Sequence, residues 1–259
     1  TYLQENNLKL PHLKKVIIGG SAIPEKILRA FEQDYEVEVI HAWGMTETSP
    51  LGTLGTLPPH LKAADIDQQM EQKLKQGRPP FGVQLKIVDD EGHDLAHDGQ
   101  VSGRLMVRGA AIAAGYFKGD GGDVLDDQGF FDTGDVANID AYGTMQITDR
   151  AKDVIKSGGE WISSIDIENI AVGHPKVANA AAIGIYHPKW DERPLLIIQA
   201  AEGESPSKED VLAQLDGKIA KWWTPDDVAF VDEIPLGATG KINKLALREM
   251  FKDYTLPTA

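Results

Sequence analysis

The sequence predicts an α/β unit, then a β-rich stretch, then a compact α+β domain, and three observations carry that prediction. Val16-Ile17-Ile18 runs into Gly19-Gly20 and a helical apolar stripe, the pattern of strand, glycine turn and helix. From about Gly82 to Thr148, short runs rich in β-branched and aromatic residues alternate with Gly and Asp turns. From Asp149 the rhythm changes again: charged residues bracket Val154-Ile155, Gly158-Gly159 interrupts the chain, and helices opened by capping residues follow.

Taken in order, Pro24 suits a first helical turn, and Ile27, Leu28 and Phe31 supply the stripe of the first helix. Residues 36–40, EVEVI, alternate as a half-buried strand, so the chain opens on a unit that begins partway through a larger fold. QLKIVD, GRLMVRG, GFFDTGD and GTMQITD are the strands of the β-rich stretch. Beyond Asp149, VIK and WIS precede a helix that Ser163 caps, with Asp166 completing a capping box. The runs 177–186 and 195–200 are strands. Ser207 with Asp210 opens a helix whose Leu212, Leu215, Ile219 and Trp222 step by three or four residues. VAFVDEIP is a further strand, and Asn243 caps the last helix, LALREMF. The predicted division is 1–148 and 149–259, the second part being about 110 residues, an ordinary domain size.

Composition narrows the function classes. With 259 residues, 42% of them hydrophobic, the chain can bury a substantial core. A net charge of −14 argues against nucleic acid as the main partner, and any anionic ligand must be met by local positive or dipolar groups. The absence of cysteine excludes disulfides, Cys-type zinc sites and a thiol nucleophile. No apolar run reaches the ~18 residues of a membrane span, and the N-terminus lacks a signal-peptide pattern, so a cytoplasmic location is the expectation. His and acidic residues show no H-E-x-x-H-type spacing, which disfavours zinc.

Five segments have the residue types for chemistry, and four of them have a plainer alternative. Gly19-Gly20-Ser21 exposes backbone N–H groups to a purine edge or an anion, or is an ordinary strand-to-helix turn. Trp43-Gly44-Met45-Thr46-Glu47-Thr48 offers an aromatic plane, hydroxyls for a phosphate and a carboxylate for Mg2+, or is a surface turn with a half-buried Trp. Phe131-Asp132-Thr133-Gly134-Asp135 is a tight acidic turn in which Asp135 can accept both hydroxyls of a ribose, or is a simple β-turn. Asp149 to Glu160 reads as a hinge beside an anion site. Pro235 to Asn243 places a single lysine, Lys241, on a glycine-bearing loop, able to stabilise developing negative charge or merely exposed. Gly237 and Gly240 are too close for a P-loop, and Ile242 is not Ser or Thr.

In this order the segments resemble the adenylate-forming superfamily of acyl-CoA synthetases, peptide-synthetase adenylation domains and luciferases. VIIGGSAIP is similar to its adenine-side motif and HAWGMTETSP to its aromatic-Gly-x-Thr-Glu motif. GRLMVRG with GYF resembles the structural motif that follows, FDTGD the ribose motif, DRAKDVIKSGGEWIS the hinge motif and PLGATGKI the C-terminal lysine motif. HAWGMTETSP and KSGGEWIS look most like medium- to long-chain fatty acyl-CoA ligases. The fold implied is the C-terminal part of a large adenylating domain, residues 1–148, followed by a small mobile α+β C-terminal domain, 149–259.

The resemblance implies ATP, coenzyme A and Mg2+ as cofactors and a fatty acid as substrate. Lys241, Thr46 and Glu47 are then catalytic, with Glu47 on the metal. Gly19, Gly20, Ser21, Trp43 and Gly44 meet adenine, with Trp43 lying against it, and Asp135 and Arg150 grip the ribose. Lys156, Gly158, Gly159 and Trp161 flank the path of coenzyme A, and Asp149 is the hinge. Lys152, Lys156, Lys244 and Arg248 are candidates for the CoA phosphates, or else a solvated charged face. The family's glycine- and Ser/Thr-rich phosphate loop is not present ahead of Gly19, so the expectation is a C-terminal portion of a longer enzyme that does not adenylate by itself. Peripheral membrane contact and a homodimer stay open. Two alternatives remain: another adenylating ligase, activating an aryl or amino acid or loading a carrier protein, and a non-catalytic fragment that binds a nucleotide or a partner.

Overall fold

The computed structural model describes residues 2–237 and 240–259, and the chain divides into two compact units, 1–147 and 148–259.

The first unit opens with a short helix, α1 (Tyr2–Glu5), and then builds a strand–helix–strand crossover. Strand β1 (Lys15–Gly19) pairs in parallel with β2 (Glu38–Trp43) through α2 (Glu25–Arg29) and the π-helical turn that prolongs it. Pro24 takes the N-cap position of α2. Leu28 is buried with Ile23, Val39 and Met70, whereas Ile27, expected on the same stripe, is exposed. The predicted strand 36–40 starts later and runs to Trp43, because Glu36 adopts a positive φ of 54° that extended backbone does not tolerate. β3 (Thr53–Gly55) adds antiparallel to β2, and α3 (Ile66–Leu74), capped by Asp65, carries Met70 into the core.

The β-rich stretch forms one sheet in the order β4 (Val83–Val88), β5 (Gly103–Gly109), β6 (Phe131–Ile139) and β7 (Met145–Arg150). Ile87, Leu105, Ala137, Ile139 and Met145 share a cluster with Trp43 of β2. The contact-based division of the chain falls within β7.

In the second unit, β8 (Ile155–Ser157) and β9 (Glu160–Ile162) lead into α4 (Ser164–Val172), whose N-cap Ser163 accepts from the Asp166 N–H. The long antiparallel pair β10 (Val177–His187) and β11 (Asp191–Ala200) reads as a nearly continuous apolar run because both faces are covered. Ala180, Ala182, Leu196 and Ile198 pack with α4 and α5 (Lys208–Leu215). The alternate residues Ala181, Ile183, Leu195 and Ile197 pack with Leu247 of α6 (Lys244–Met250). β12 (Asp227–Val231) joins β11 in parallel. α5 stops at Leu215 instead of continuing to Trp222, since Gly217 turns left-handed at φ +71°. Ile219 still reaches the core from the loop, and Trp223, not Trp222, accompanies it.

Candidate functional site

In the first unit the glycine pair has two separate causes. A Cβ on Gly19 would lie 2.7 Å from the Ala42 carbonyl oxygen, so the close pairing of β1 with β2 requires glycine there. Gly20 adopts φ +87° with open space around it, and the exposed Ser21 follows. His41 on β2 is buried, with Nδ1 2.8 Å from the Leu74 carbonyl, and burial lowers its pKa, so the neutral ring donates there and serves packing.

Gly44 lets the next loop fold back on itself, as a Cβ would sit 1.8 Å from the Pro50 carbonyl oxygen. Thr48 is buried beneath that loop: its Oγ1 accepts from the Met45 N–H at 2.9 Å and donates to the Pro50 carbonyl at 2.6 Å. Thr46 is left exposed and Glu47 half-buried on the short 3-10 turn above it. The Glu47 carbonyl accepts from Ala113 N–H at 2.8 Å, and its Oε1 accepts the Tyr116 hydroxyl at 2.7 Å. That bond raises the Tyr116 pKa. Among the described residues Oε2 takes no hydrogen bond, so Glu47 offers a hard oxygen donor of the kind Mg2+ accepts. Tyr116 belongs to the GYF segment, whose part in this site the sequence did not announce.

Trp43 departs from expectation. Its ring is 7% exposed within the core and fits against Gly52 so tightly that a Cβ there would come within 2.1 Å of Cζ3. Little of the ring is left to lie against adenine. Instead its Nε1–H donates to Asp135 Oδ2 at 2.8 Å. Asp135, 4% exposed, follows Gly134 at φ +68°, and its N–H donates to Thr133 Oγ1 at 3.1 Å. The ribose candidate is thus a carboxylate aimed by an indole and a tight turn.

In the second unit, the hinge candidate Asp149 is 1% exposed and caps a helix. Its Oδ2 accepts from Ser164 N–H, the first residue of α4, at 2.6 Å, and its Oδ1 from Arg150 N–H at 2.7 Å. Lys244, at the start of α6, donates to Ser164 Oγ and lies 2.7 Å from Glu168 Oε1. The same Glu168 oxygen accepts from Ala182 N–H at 2.8 Å. Burial raises the pKa of Asp149 and of Glu168, and the Lys244 charge opposes it in both. Burial, with a contribution from the Asp149 charge, pushes Asp166 up to about 6. Lys244 therefore belongs to the interior and is neither a CoA-phosphate contact nor part of a solvated face. Arg248 is also engaged, at 2.9 Å from Asp153 Oδ1.

The loop joining β8 and β9 needs both its glycines, with Gly158 at φ +61° and Gly159 at φ +86°. Gly158 also donates its N–H to the Trp190 carbonyl at 2.8 Å, and a Cβ on it would approach the Trp190 ring at 2.9 Å. Beside Gly159 there is open space. Lys156 holds its ammonium 5.6 Å from the Trp161 ring centroid. A cleft of about 910 Å³ opens next to this loop, lined by Gly158, His187, Lys189, Trp190, Arg193 and Trp222 among others. Arg193 is fully committed to Asp226 and to the Trp222 and Thr224 carbonyls, forming part of the cleft wall. The sequence did not single out Trp190 and read Trp222 only as part of a helical stripe. Lys241 is exposed on a loop closed by the Leu236–Ile242 bridge, with Gly237 N–H donating to the Lys241 carbonyl at 2.7 Å. Ala238 and Thr239 of that motif lie outside the described residues.

Among the described residues, one convergence of metal-type ligands occurs, Asp89, Glu91 and His93 within 4.8 Å on an exposed turn that the Asp89–His93 hydrogen bonds close by themselves. No helix among the described residues is long and apolar enough to cross a membrane.

Two family models match the chain, the AMP-binding enzyme over residues 2–117 and the AMP-binding enzyme C-terminal domain over residues 166–241. A 3-methylmercaptopropionyl-CoA ligase of Ruegeria lacuscaerulensis is 55% identical over 95% of this chain and 45% of its own length. A medium-chain-fatty-acid–CoA ligase of Ectopseudomonas oleovorans is 49% identical over 97% of this chain and 46% of its own. The solved structure of the o-succinylbenzoate CoA synthetase of Bacillus subtilis, in complex with its acyl-adenylate intermediate, matches with a TM-score of 0.81 at 26% identity, over 98% of this chain and 49% of that one. The chain spans about half the length of the curated relatives it matches.

Proposed function

From a chain that belongs to the AMP-binding enzyme family, the adenylate-forming superfamily, we propose the C-terminal part of a fatty acyl-CoA ligase. The protein joins an aliphatic carboxylic acid to AMP with loss of pyrophosphate, then passes the acyl group to coenzyme A. Residues 1–148 belong to the adenylating domain and 149–259 form the mobile C-terminal domain. The observation that carries the reading is the Thr46–Glu47 turn, where an exposed hydroxyl stands beside a carboxylate with one oxygen tethered and the other, among the described residues, without a hydrogen bond.

In the first step a carboxylate oxygen attacks the α-phosphorus and pyrophosphate departs with the electrons of the broken P–O bond. Both reactants are anionic, so rate comes from positioning and charge neutralisation. Thr46 donates to a phosphate oxygen, and Glu47 would hold Mg2+. The ion, when bound, supplies neutralisation of the polyphosphate. Asp135 and Arg150 take the ribose hydroxyls, Gly20 and Ser21 follow the adenine edge, and Lys241 stabilises charge on the carboxylate and α-phosphate oxygens. In the second step the thiol of coenzyme A attacks the acyl carbon and AMP leaves. Gly158 and Gly159 keep the thiol's path free of side chains, with Lys156 and Trp161 at its side, and Asp149 is the pivot between the two steps.

The names of the two relatives, a 3-methylmercaptopropionyl-CoA ligase and a medium-chain-fatty-acid–CoA ligase, support an unbranched aliphatic acid as the substrate class. A cytoplasmic location is proposed with it. The test is thioester formation by a protein of the relatives' length that contains this chain, with ATP, Mg2+ and either CoA or a phosphopantetheinylated carrier protein. Aliphatic acids with CoA are expected to turn over best. Preference for aryl or amino acids, or for the carrier protein, would replace this reading with another adenylating ligase. In the same protein, Lys241→Ala is expected to lower ATP–pyrophosphate exchange by roughly a hundredfold or more while largely sparing thioester formation from preformed acyl-adenylate.

A further inference from the structure

Lys244 sits three residues after Lys241, in the first turn of α6, yet its side chain is only 10% exposed. A lysine loses both hydration and rotamer freedom in such a place, so its partners must compensate. Those partners come from three elements. Glu168 of α4 lies at 2.7 Å, Ser164 at the start of α4 accepts from Nζ, and the backbone N–H of the same Ser164 is held by Asp149 Oδ2 at 2.6 Å. The Lys244 charge also favours the ionised form of Asp149. A contiguous path of polar contacts therefore runs from the start of the helix behind Lys241 to the hinge carboxylate.

Of the two carboxylates nearby, Glu168 meets this ammonium directly and Asp149 is linked to it through Ser164. If Lys244 only neutralised Glu168, removing both charges together would leave nothing amiss. If it also holds Asp149 through Ser164, that double removal still leaves the hinge carboxylate's cap without its tie to α6.

Resting on the ligase reading above, we infer that Lys244 is a positioning residue: by bridging Glu168 and Ser164 it holds Asp149 in its helix-capping geometry and thereby sets where the Lys241 loop stands for the adenylation step. It contacts no substrate. Its effect is exerted through the hinge and through α6.

The experiment compares Lys244→Met, Lys244→Arg and the double variant Glu168→Gln/Lys244→Met. In this chain, amide hydrogen exchange at Ser164 reports the Asp149 cap directly and requires no activity. In a protein of the relatives' length, ATP–pyrophosphate exchange and thioester formation from preformed acyl-adenylate report the two steps. Lys244→Met is expected to speed Ser164 exchange and to lower kcat for ATP–pyrophosphate exchange, each by roughly tenfold, with KM for ATP and thioester formation within about twofold of the parent. Lys244→Arg should recover a substantial part of both. The double variant should recover only part of the lost Tm and keep the fast Ser164 exchange and the adenylation defect. Restoration of Ser164 protection and adenylation in the double variant would overturn the inference, as would equal loss of both steps in Lys244→Met. Failure of the parent protein to activate any acid would sink the ligase reading, while the Ser164 exchange would still judge the Lys244–Asp149 coupling.

Discussion

The Tyr116 hydroxyl donates to Glu47 Oε1 at 2.7 Å, tying two segments 69 residues apart in sequence. It fixes one carboxylate oxygen and leaves the other without a hydrogen bond among the described residues. A tethered glutamate has fewer orientations to lose when it meets a cation than a free one, which is preorganisation in its simplest form. Tyr116→Phe removes the tether and leaves the carboxylate. The expected result is a rise in the Mg2+ concentration needed for half-maximal ATP–pyrophosphate exchange, on the order of threefold to tenfold. Unchanged Mg2+ dependence would mean that the Glu47–Tyr116 pair serves only to hold the loop.

Trp43 offers a second, discriminating case. A ring that lies against a base should tolerate replacement by another aromatic, whereas a ring that aims a carboxylate should not. Trp43→Phe keeps aromaticity and loses the Nε1–H bond to Asp135 Oδ2. Removing a donor from a buried carboxylate costs about 1.5–3 kcal/mol, and the smaller ring adds a packing defect against Gly52. AMP affinity, measured by calorimetry on a protein of the relatives' length, should fall about tenfold, with Tm also lowered. Retained affinity would restore the stacking role.

The contrast between those two residues shows what was legible in the sequence. Local signals were: Ser163, Ser207 and Asn243 cap the helices expected of them, because each needs only the N–H three residues on. The strand pair 177–187 and 191–200 was visible as apolar runs. Residue types in the Thr46–Glu47 and Phe131–Asp135 turns pointed to phosphate and ribose chemistry. Contacts between distant segments were not visible. Nothing near Trp43 says that its indole meets Asp135, 92 residues on, and nothing near Lys244 says that it leaves solvent for Glu168. Side-chain type offers an aromatic plane at Trp43 and, at Lys244, a cation for the CoA phosphates or a solvated face. Burial decides otherwise in each case.

Gly158 and Gly159 are adjacent and both left-handed, but they predict different failures. Alanine at Gly158 meets the Trp190 ring at 2.9 Å as well as backbone strain. Alanine at Gly159 meets open space, so only the strain of about 1–2 kcal/mol applies. Gly158→Ala should therefore lower Tm more than Gly159→Ala. Gly159→Leu should block thioester formation while sparing ATP–pyrophosphate exchange, since its side chain has room to project where the thiol must pass. Loss of both steps to the same extent in Gly159→Leu would place the defect in the loop's fold and not in the thiol's route.

Asp166 allows a test by pH alone. Burial raises its folded pKa to about 6 from an ordinary 3.8, so between those values the folded state binds more protons than the unfolded state. Stability contributed by the protonated carboxyl is then complete below about 3.8 and lost as pH rises through about 6. Asp149 and Glu168 are shifted in the same direction and add the same sign. Asp166→Asn supplies a neutral group of equal size at every pH. Urea unfolding of the chain at intervals from pH 4 to 7 should show the parent losing stability relative to Asp166→Asn as pH rises, the difference levelling off above about 6. The Asp166 N–H bond to Ser163 Oγ involves the backbone and survives the substitution, so helix α4 keeps its cap. A difference that stays constant across the range would mean that Asp166 ionises without penalty in the folded protein.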